Sequence, residues 1–392
     1  MTPPDQVLVV GASAAGVSTV EALRRKQYSG EITVLGAETH APYDRPPLSK
    51  QVLSGAWAPD KAELRTREML SALEAEFVLG DSAIALDPAA RTVQTAAGRT
   101  LRADAIVIAT GVRPRTLPHD DLVGVHVLRT LDDSLALRAD LLISRRLVVV
   151  GEGVLGAEIA ATARTLGLDV TMTGPQSAPM ALQVGTVVSQ VLAELHTERG
   201  VRLRLGAGVR SLVGAGGRVA GVELGTGEVL PADVVVVAIG AIPATEWLEG
   251  SGLLLDNGVV CDSRCRAAEG IYAVGDVARW HHDHFGELIR LENRTNATEQ
   301  AMAVAAVIVG EDRPYAPVPY FWTDQFDAKL QVHGVLRADA EVDIVEGQTS
   351  ARRFVARYRS AGVTTGVLGW NMPKQARLHR QEVVDALTVP IS

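Results

Sequence analysis

Two glycine-rich loops, each between a short apolar run and a helix-like segment, constrain the fold of this chain more than any other feature. The first reads Gly-Ala-Ser-Ala-Ala-Gly from Gly11 to Gly16 and follows the apolar run Val7 to Val10. The second reads Gly-Glu-Gly-Val-Leu-Gly from Gly151 to Gly156 and follows Leu147 to Val150. Strand, glycine turn and helix in this order are typical of a dinucleotide-binding βαβ unit, which holds the pyrophosphate at the helix N-terminus. The chain is therefore predicted to bind two dinucleotides.

The residue types within the loops fit this chemistry. The first glycine of each loop permits a tight turn, and the last lets helix and strand pack closely. The middle position, where the backbone approaches the pyrophosphate, is Ser13 in the first loop and Gly153 in the second. Serine leaves most of the space and can donate a hydroxyl hydrogen bond. Only the second loop therefore matches the pattern in full.

Composition narrows the class of protein. The chain has 392 residues, 47% of them hydrophobic, and 37 glycines, which favours an α/β enzyme of two or three domains. A formal net charge of −8 argues against nucleic acid as the main partner. No apolar stretch reaches the length of a membrane span, and the N-terminus lacks the basic and apolar regions of a secretion signal. These features predict a cytoplasmic protein with no membrane partner.

Further strands continue the first βαβ unit. Glu31 to Leu35 alternates like the next strand, and Glu38 follows at the place where an acid binds a ribose hydroxyl. Ala105 to Thr110 is a buried strand that leads into Gly111. Ile271 to Val274 is another, which leads into Gly275 and Asp276.

The order of these segments predicts the domain organisation. Val234 to Ile239 leads into Gly240, just as Ala105 to Thr110 leads into Gly111. This similarity suggests that the chain crosses back into the first domain. We expect a discontinuous first dinucleotide-binding domain of residues 1–111 and 234–315, with the second, residues 112–233, inserted into it. Residues 316–392 contain short strands, among them Val332 to Val335, and a polar helix from Lys374, and they predict a smaller C-terminal α+β domain. The fold class is α/β with two Rossmann-like domains.

The two cysteines, a histidine tract and a basic stretch each have both a functional and a structural interpretation. Cys261 and Cys265 are spaced C-x-x-x-C, unlike a redox dithiol or zinc knuckle, and are interpreted as structural thiols. The tract His281 to His284 is interpreted as a solvated loop, and no metal is predicted. Ala351 to Arg380 carries seven Arg and Lys and no acid. That stretch is either a solvated face or a docking surface for an acidic protein.

The chain resembles the flavin-dependent ferredoxin reductases of the glutathione-reductase fold, which feed electrons to bacterial oxygenases. The resemblance covers essentially the whole length. The motifs most specific to this family are Pro-Tyr-Asp-Arg-Pro-Pro-Leu-Ser-Lys at Pro42 to Lys50 and Tyr-Phe-Trp-Thr-Asp-Gln at Tyr320 to Gln325. Broader flavoprotein motifs accompany them, namely the first loop, Ala109 to Gly111, Gly275 to Ala278 and Thr295 to Ala297.

This resemblance implies FAD in the first domain and NADH or NADPH in the second. Ser13, Ala15 and Gly16 would contact the FAD pyrophosphate, and Glu38 the adenosine ribose. Other implied FAD contacts are the flavin-end residues Arg45, Lys50 and Arg129, the adenine-side Ala83, the pyrophosphate-side Thr110 and Gly111, and the ribityl-side Asp276 with Gly275. The coenzyme would lie on Gly151, Gly153, Gly156, Glu158 and Gly240.

The resemblance also implies the residues nearest the chemistry. Lys50 and Glu158 would pair beside the isoalloxazine, where nicotinamide enters. Trp322 would lie between the flavin and the face where ferredoxin docks. Arg294 departs from the family, which usually has an aromatic residue there. Its guanidinium near the pyrimidine end would raise the flavin potential.

The second loop departs further from the pattern. The strand Val170 to Thr173 is followed by Gly174, Pro175 and Gln176, where an NADH-dependent relative carries a ribose-binding acid. No Arg nearby would hold a 2′-phosphate, so the nicotinamide preference stays open. Glu152 places a carboxylate in the loop, which the pyrophosphate tolerates only if the side chain points away.

The predicted function is an FAD-dependent NAD(P)H:ferredoxin oxidoreductase, a monomer or homodimer whose partner is an iron–sulfur ferredoxin. One alternative is a rubredoxin or small-molecule flavin reductase, or an oxidase, in a biosynthetic pathway. Another is a flavin-bearing redox sensor similar to the apoptosis-inducing-factor relatives. A disulfide reductase is disfavoured because no C-x-x-C follows the first helix.

Overall fold

A computed structural model of the chain describes residues 3–118, 120–337 and 340–388. Met1 and Thr2, part of the N-terminus interpreted above, and residues 389–392 of the predicted C-terminal domain lie outside these ranges. The chain divides into two compact units. Unit 1 comprises Met1–Asp44, Glu63–Arg113 and Ile242–Pro317, and unit 2 comprises Arg45–Ala62, Pro114–Ala241 and Val318–Ser392.

The strands are, in chain order, β1 (Gln6–Val10), β2 (Glu31–Gly36), β3 (Glu76–Leu79), β4 (Ala83–Asp87), β5 (Thr92–Thr95), β6 (Thr100–Arg102), β7 (Ala105–Ile108), β8 (Val112–Pro114), β9 (Val125–His126), β10 (Arg146–Val150), β11 (Asp169–Gly174), β12 (Arg202–Leu205), β13 (Val209–Ala215), β14 (Arg218–Leu224), β15 (Val229–Pro231), β16 (Val234–Val237), β17 (Ala241–Pro243), β18 (Val259–Cys261), β19 (Arg266–Ala268), β20 (Ile271–Ala273), β21 (Ala278–His282), β22 (Glu287–Ile289), β23 (Tyr320–Gln325), β24 (Ala328–Gly334), β25 (Glu341–Gln348), β26 (Arg353–Ser360) and β27 (Val363–Trp370).

The α-helices are α1 (Ala14–Arg25), α2 (Gln51–Ser54), α3 (Arg67–Ser71), α4 (Leu131–Ile143), α5 (Val154–Thr165), α6 (Ala181–Glu198), α7 (Arg294–Ile308) and α8 (Pro373–Thr388). Short 3₁₀ helices lie at Pro46–Ser49, Pro59–Ala62, Glu246–Leu248, Gly275–Val277 and Thr349–Ala351. None of the helices in the described ranges combines the length and apolar character needed to cross a lipid bilayer.

Unit 1 is organised around a six-stranded sheet in the order β19-β20-β7-β1-β2-β3, parallel except for the β19–β20 pair. The apolar run of β1 forms the centre of this sheet because strands of a parallel sheet are buried on both faces. Its residues Val7 to Val10 are almost completely buried. The first glycine loop therefore begins at the carboxyl end of a central strand, where open α/β sheets bind their ligands.

Unit 2 repeats this design with a five-stranded parallel sheet in the order β12-β11-β10-β16-β9. The second loop follows its central strand β10. The same unit contains the antiparallel sheet β23-β24-β27-β26-β25, against which α8 packs. A core cluster with Trp370 and Phe354 joins this sheet to α6.

Most elements expected from the sequence are present, with end residues shifted by one to four positions. The helix after the first loop ends at Arg25, and the strand expected at Val332 to Val335 is the longer β24. The interpretation of His281 to His284 as a solvated loop was wrong for the first two residues, which end β21. His282 is buried, its Nε2 lies 2.9 Å from Pro317 O, and its ring stacks on Phe285. The predicted domain boundaries stay a prediction.

Candidate functional site

The first loop in unit 1 is shaped by backbone contacts that exclude side chains. Gly11 adopts φ +124°, and a Cβ there would overlap Ala109 O. A Cβ on Gly16 would overlap Gly11 O, so the loop closes tightly on the start of α1. Gly11 N donates to Leu35 O over 2.7 Å. This turn leaves the N-terminus of α1 facing the carboxyl end of β1, which fits the diphosphate of a dinucleotide such as FAD.

The predicted ribose acid lies beside this loop in unit 1. Glu38 follows β2 and is half-buried. Its carboxylate accepts a hydrogen bond from the Tyr43 hydroxyl, and its backbone oxygen accepts one from Gly80 N over 3.0 Å. Sequence reasoning did not single out Tyr43, although it lies in the Pro42 to Lys50 motif. Glu38 is thus held in place, and its contact with ribose stays a prediction.

The Gly275 turn approaches the first loop closely. Gly275 adopts φ +75°, its N donates to Gln300 Oε1 over 2.8 Å, and a Cβ there would lie 3.0 Å from Ala15 Cβ. Asp276 is half-buried, and its backbone oxygen accepts a hydrogen bond from Arg290 Nη1 over 3.0 Å. Residues distant in sequence, Ala15 and Gly275, are therefore adjacent in the fold.

Ala83, Thr110 and Gly111 also belong to unit 1. Ala83 starts β4, and Gly111 follows β7 with φ +71°. The Thr110 hydroxyl donates to Ala244 O over 2.9 Å, which ties the end of β7 to the returning chain. Their contacts with FAD stay predictions.

Arg294 opens α7 in unit 1 and is paired there. Its Nε lies 2.6 Å from Asp44 Oδ1, and its Nη1 donates to the Thr298 hydroxyl. A cation at a helix N-terminus opposes the helix dipole, and Asp44 offsets that cost. Any effect of Arg294 on a flavin potential would therefore come from an ion pair rather than an isolated charge.

The second loop in unit 2 has the same geometry as the first. Gly151 adopts φ +120°, and Cβ atoms on Gly151 and Gly156 would overlap Ala238 O and Gly151 O. Gly153 begins the turn into α5, and a Cβ there meets only Gln183 Nε2 at 3.9 Å. Gly240 adopts φ +98°, and its oxygen accepts from Arg115 N over 3.0 Å. The loop fits a second dinucleotide.

Glu152 points out of this loop toward the end of β11. Its Oε1 accepts a hydrogen bond from Gln176 N over 2.9 Å, and its backbone oxygen accepts one from Met180 N over 2.7 Å. A Cβ on Gly174 would overlap Glu152 Oε2. The condition that the carboxylate point away from the loop is therefore met.

Lys50 and Glu158 form a buried ion pair within unit 2. Lys50 Nζ lies 2.7 Å from Glu158 Oε2, and the two side chains are 13% and 7% exposed. The Ser49 hydroxyl donates to the same oxygen over 2.5 Å, and the Thr323 hydroxyl donates to Oε1 over 2.8 Å. Three donors thus hold one carboxylate, which compensates for its loss of hydration.

A polar chain extends from this pair into the core of unit 2. Gln325 Nε2 donates to the Thr323 hydroxyl over 3.2 Å, and Gln325 Oε1 lies 2.9 Å from His196 Nε2. Burial lowers the pKa of His196, which favours its neutral form. Thr162 Oγ1 donates to Ser49 O over 2.7 Å. Connected donors and acceptors of this kind fix the orientation of Glu158.

The remaining predicted site residues of unit 2 lie on its three chain segments. Arg45 Nε donates to Arg129 O over 3.2 Å. Trp322 is half-buried on β23, and its ring lies 6.1 Å from that of Tyr320 in a stacked arrangement. Tyr320 stacks in turn on His333 at 4.8 Å.

Both cysteines are buried and free. Burial raises the pKa of the Cys265 thiol to about 12, and Gln300 Nε2 lies 3.2 Å from its sulfur. The described residues contain no cluster of three or more His, Cys, Asp or Glu side chains arranged to hold a metal ion.

Comparison with known proteins places these features in a family. The pyridine nucleotide-disulphide oxidoreductase model matches residues 5–303, and the reductase C-terminal model matches residues 320–390. The chain is 37% identical over 351 residues to rhodocoxin reductase of Rhodococcus erythropolis, covering 89% of this chain and 82% of the relative. It is 33% identical to putidaredoxin reductase of Pseudomonas putida, covering 99% and 94%. The chain belongs to the ferredoxin reductase family.

Solved structures agree with this assignment. A crystal structure of the covalent putidaredoxin reductase–putidaredoxin complex matches with a TM-score of 0.93 at 32% identity, covering 97% of the reductase described here and 93% of that chain. The ferredoxin reductase for the CYP199A2 system of Rhodopseudomonas palustris matches with a TM-score of 0.91 at 36% identity, covering 94% and 91%. The predicted fold class and family are confirmed.

Sequence reasoning missed several partners of the predicted site residues in this reductase. Ser49 and Thr323 donate to Glu158, Gln325 donates to Thr323, and Asp44 pairs with Arg294. All four lie inside the two motifs quoted as family-specific. The signal was therefore present, but nothing in the spacing tells which motif residues face each other.

The basic stretch is largely neutralised at its start. Arg352 pairs with Glu198 over 2.7 Å, and Arg359 pairs with Asp343 over 2.9 Å. Arg357 also has acidic partners, Asp343 and Glu382. Lys374, Arg377 and Arg380, by contrast, make no ion pair within the described ranges.

Proposed function

We propose that this reductase transfers electrons from NAD(P)H through FAD to an iron–sulfur ferredoxin that supplies an oxygenase. The observation that carries the proposal is the repeated glycine loop, closed by the same backbone contacts in unit 1 and unit 2. One loop would hold FAD and the other the nicotinamide coenzyme. The two buried free thiols suit a reducing compartment, which supports a cytoplasmic location.

When bound, FAD accepts a hydride and releases its electrons singly. The residues of unit 1 would hold its diphosphate on the first loop and its ribose on Glu38. Asp276 would accept hydrogen bonds from the ribityl hydroxyls. These contacts fix the orientation of the cofactor rather than take part in the redox step.

Within unit 2, Lys50 and Glu158 would provide a fixed dipole near the nicotinamide. Hydrogen bonds from Ser49 and Thr323, the latter bonded in turn to Gln325, hold Glu158 in its orientation beside Lys50 before coenzyme binds. Because such groups are already oriented, little reorganisation is required when charge moves. The catalytic role of Lys50, Glu158 and Trp322 is part of this proposal.

An anaerobic titration of the flavin-loaded protein tests the first half of the function. We expect NADH or NADPH to bleach the flavin absorbance, and a [2Fe-2S] ferredoxin added afterwards to restore it. Flavin that stays oxidised with both coenzymes would rule out a reductase and favour the redox-sensor alternative. Bleaching followed by reoxidation with quinones or oxygen, but not with ferredoxin, would favour a small-molecule reductase.

The exposed part of the basic stretch is the proposed docking surface for the ferredoxin. Lys374, Arg377 and Arg380, called here the α8 basic face, recur every three residues on one helix, so their side chains share a face. Lys374 and Arg377 are exposed. The positive charges of Arg377 and Arg380 lower the pKa of His333. The His333 ring stacks on Tyr320, which stacks in turn on Trp322. An acidic ferredoxin would thus meet cations beside an aromatic group.

Charge reversal tests this surface. The double variant Lys374→Glu/Arg377→Glu should lower kcat/KM for ferredoxin about tenfold at low salt, with the deficit shrinking as salt screens the charges. Turnover with ferricyanide should stay unchanged. The matched control Lys61→Glu/Arg218→Glu makes the same charge change at exposed positions of unit 2. Equal losses in both double variants would mean that ferredoxin senses only net charge.

A further inference from the structure

The end of β11 lacks the side chain that a dinucleotide site normally places there. In βαβ units an acid at the end of the second strand accepts hydrogen bonds from the adenosine ribose. In unit 2 this place is taken by Gly174, the last residue of β11. β11 pairs with β10 in parallel, beginning with Arg146 opposite Asp169. Pro175 and Gln176 follow and carry no charge.

A carboxylate nevertheless occupies this place, and it comes from the loop. A Cβ on Gly174 would overlap Glu152 Oε2 and would lie 3.1 Å from Oε1. Glu152 is only 6% exposed, and its Oε1 accepts a hydrogen bond from Gln176 N over 2.9 Å. Compared with the usual dinucleotide-binding pattern, the glycine and the acid have changed places. The strand end carries Gly174, and the glycine loop carries the acid, Glu152.

The Glu152 carboxylate can accept further hydrogen bonds. Glu158 receives three side-chain donors, whereas within the described ranges the Glu152 carboxylate accepts one hydrogen bond, from a backbone N–H. A carboxylate has several lone-pair sites on its two oxygens, so Oε2 is left to accept from a ligand. A ribose diol supplies two hydroxyl donors at once. A 2′-phosphate would instead bring a second negative charge beside it.

We propose that Glu152 is the ribose-binding residue of the coenzyme site and makes the enzyme select NADH over NADPH. The inference rests on the proposed function, in which the second loop binds the nicotinamide coenzyme. Gly174 is then a companion of Glu152, because any side chain there would displace the carboxylate. The departure at Gly174 to Gln176 reflects relocation of the acid rather than its loss.

Redox-inactive probes test this on the flavin-loaded protein. Calorimetry with ADP-ribose and 2′-phospho-ADP-ribose should show at least tenfold tighter binding of ADP-ribose. In Glu152→Gln we expect ADP-ribose to bind about tenfold more weakly and the ratio between the probes to fall toward one. The control Glu194→Gln makes the same chemical change at an exposed position of α6 and should leave both affinities unchanged.

A second variant keeps the proposal falsifiable if Glu152→Gln is poorly folded. Glu152→Gly/Gly174→Glu returns the acid to the strand end and should restore the preference for ADP-ribose. Gly174→Glu alone should lower the melting temperature, because its side chain collides with Glu152. The proposal is overturned if the ratio of affinities is the same in wild type and Glu152→Gln, including the case in which both probes weaken equally. Wild type that binds neither probe would instead contradict the coenzyme site itself.

Discussion

His333 is a buried titratable group whose charge state is set by its neighbours. It lies on β24, stacks on Tyr320, and neither ring nitrogen has a hydrogen-bond partner in the described ranges. Burial, together with the positive charges of Arg380 and Arg377, lowers the pKa of His333 to about 4. The folded protein therefore keeps this ring neutral at neutral pH.

This shift predicts a pH dependence of stability. As the pH falls from about 6.5 to 4, His333 becomes protonated in the unfolded chain but stays neutral in the folded protein. The free energy of unfolding therefore decreases over this range. Above pH 6.5 the effect vanishes. We expect the wild type to lose roughly 1–3 kcal/mol more than His333→Phe over this range. Urea unfolding followed by tryptophan fluorescence measures it. His284→Phe, at an exposed position, should behave as wild type. Parallel pH profiles of wild type and His333→Phe would contradict the assignment.

At the scale of elements, the strands predicted most accurately from the sequence are those that an apolar pattern determines. β1 and β10 are continuous apolar runs, and such runs form the buried strands of a parallel sheet. β23 was quoted as a family motif but not predicted as a strand, because Thr323, Asp324 and Gln325 interrupt any apolar alternation. In the fold its side chains alternate between two faces. Thr323 and Gln325 point to the Glu158 network, whereas Tyr320 and Trp322 stack on the other face.

Contacts between distant elements could not be predicted in this way. Ser49 and Glu158 are 109 residues apart, and Thr323 is 165 residues from Glu158. Spacing along one helix or strand contains no information about such pairs, so only the family resemblance suggested the pair of Lys50 and Glu158. The position of Glu152 at Gly174 needed the packing of a loop against a strand end. Pattern reasoning could detect the missing acid but could not find its replacement.

At the scale of the whole molecule, each unit is assembled from three separate chain segments around one glycine loop. Each unit therefore contains one glycine loop of its own. Gly16 and Gly156 hold equivalent positions, since a Cβ on either would overlap the oxygen of the first glycine of its own loop. The same substitution at these two positions separates the roles of the units.

Gly16→Ala should purify with little flavin, because the added methyl group pushes the first loop out of the shape that holds the diphosphate. Gly156→Ala should retain flavin at the wild-type ratio but bind ADP-ribose at least tenfold more weakly. Its flavin should still be reduced fully by dithionite. Flavin content by absorbance and affinity by calorimetry measure both effects, and circular dichroism confirms that each variant is folded. If Gly156→Ala lost flavin while Gly16→Ala kept it, FAD would have been assigned to the wrong unit, because the methyl group perturbs only the loop that carries it.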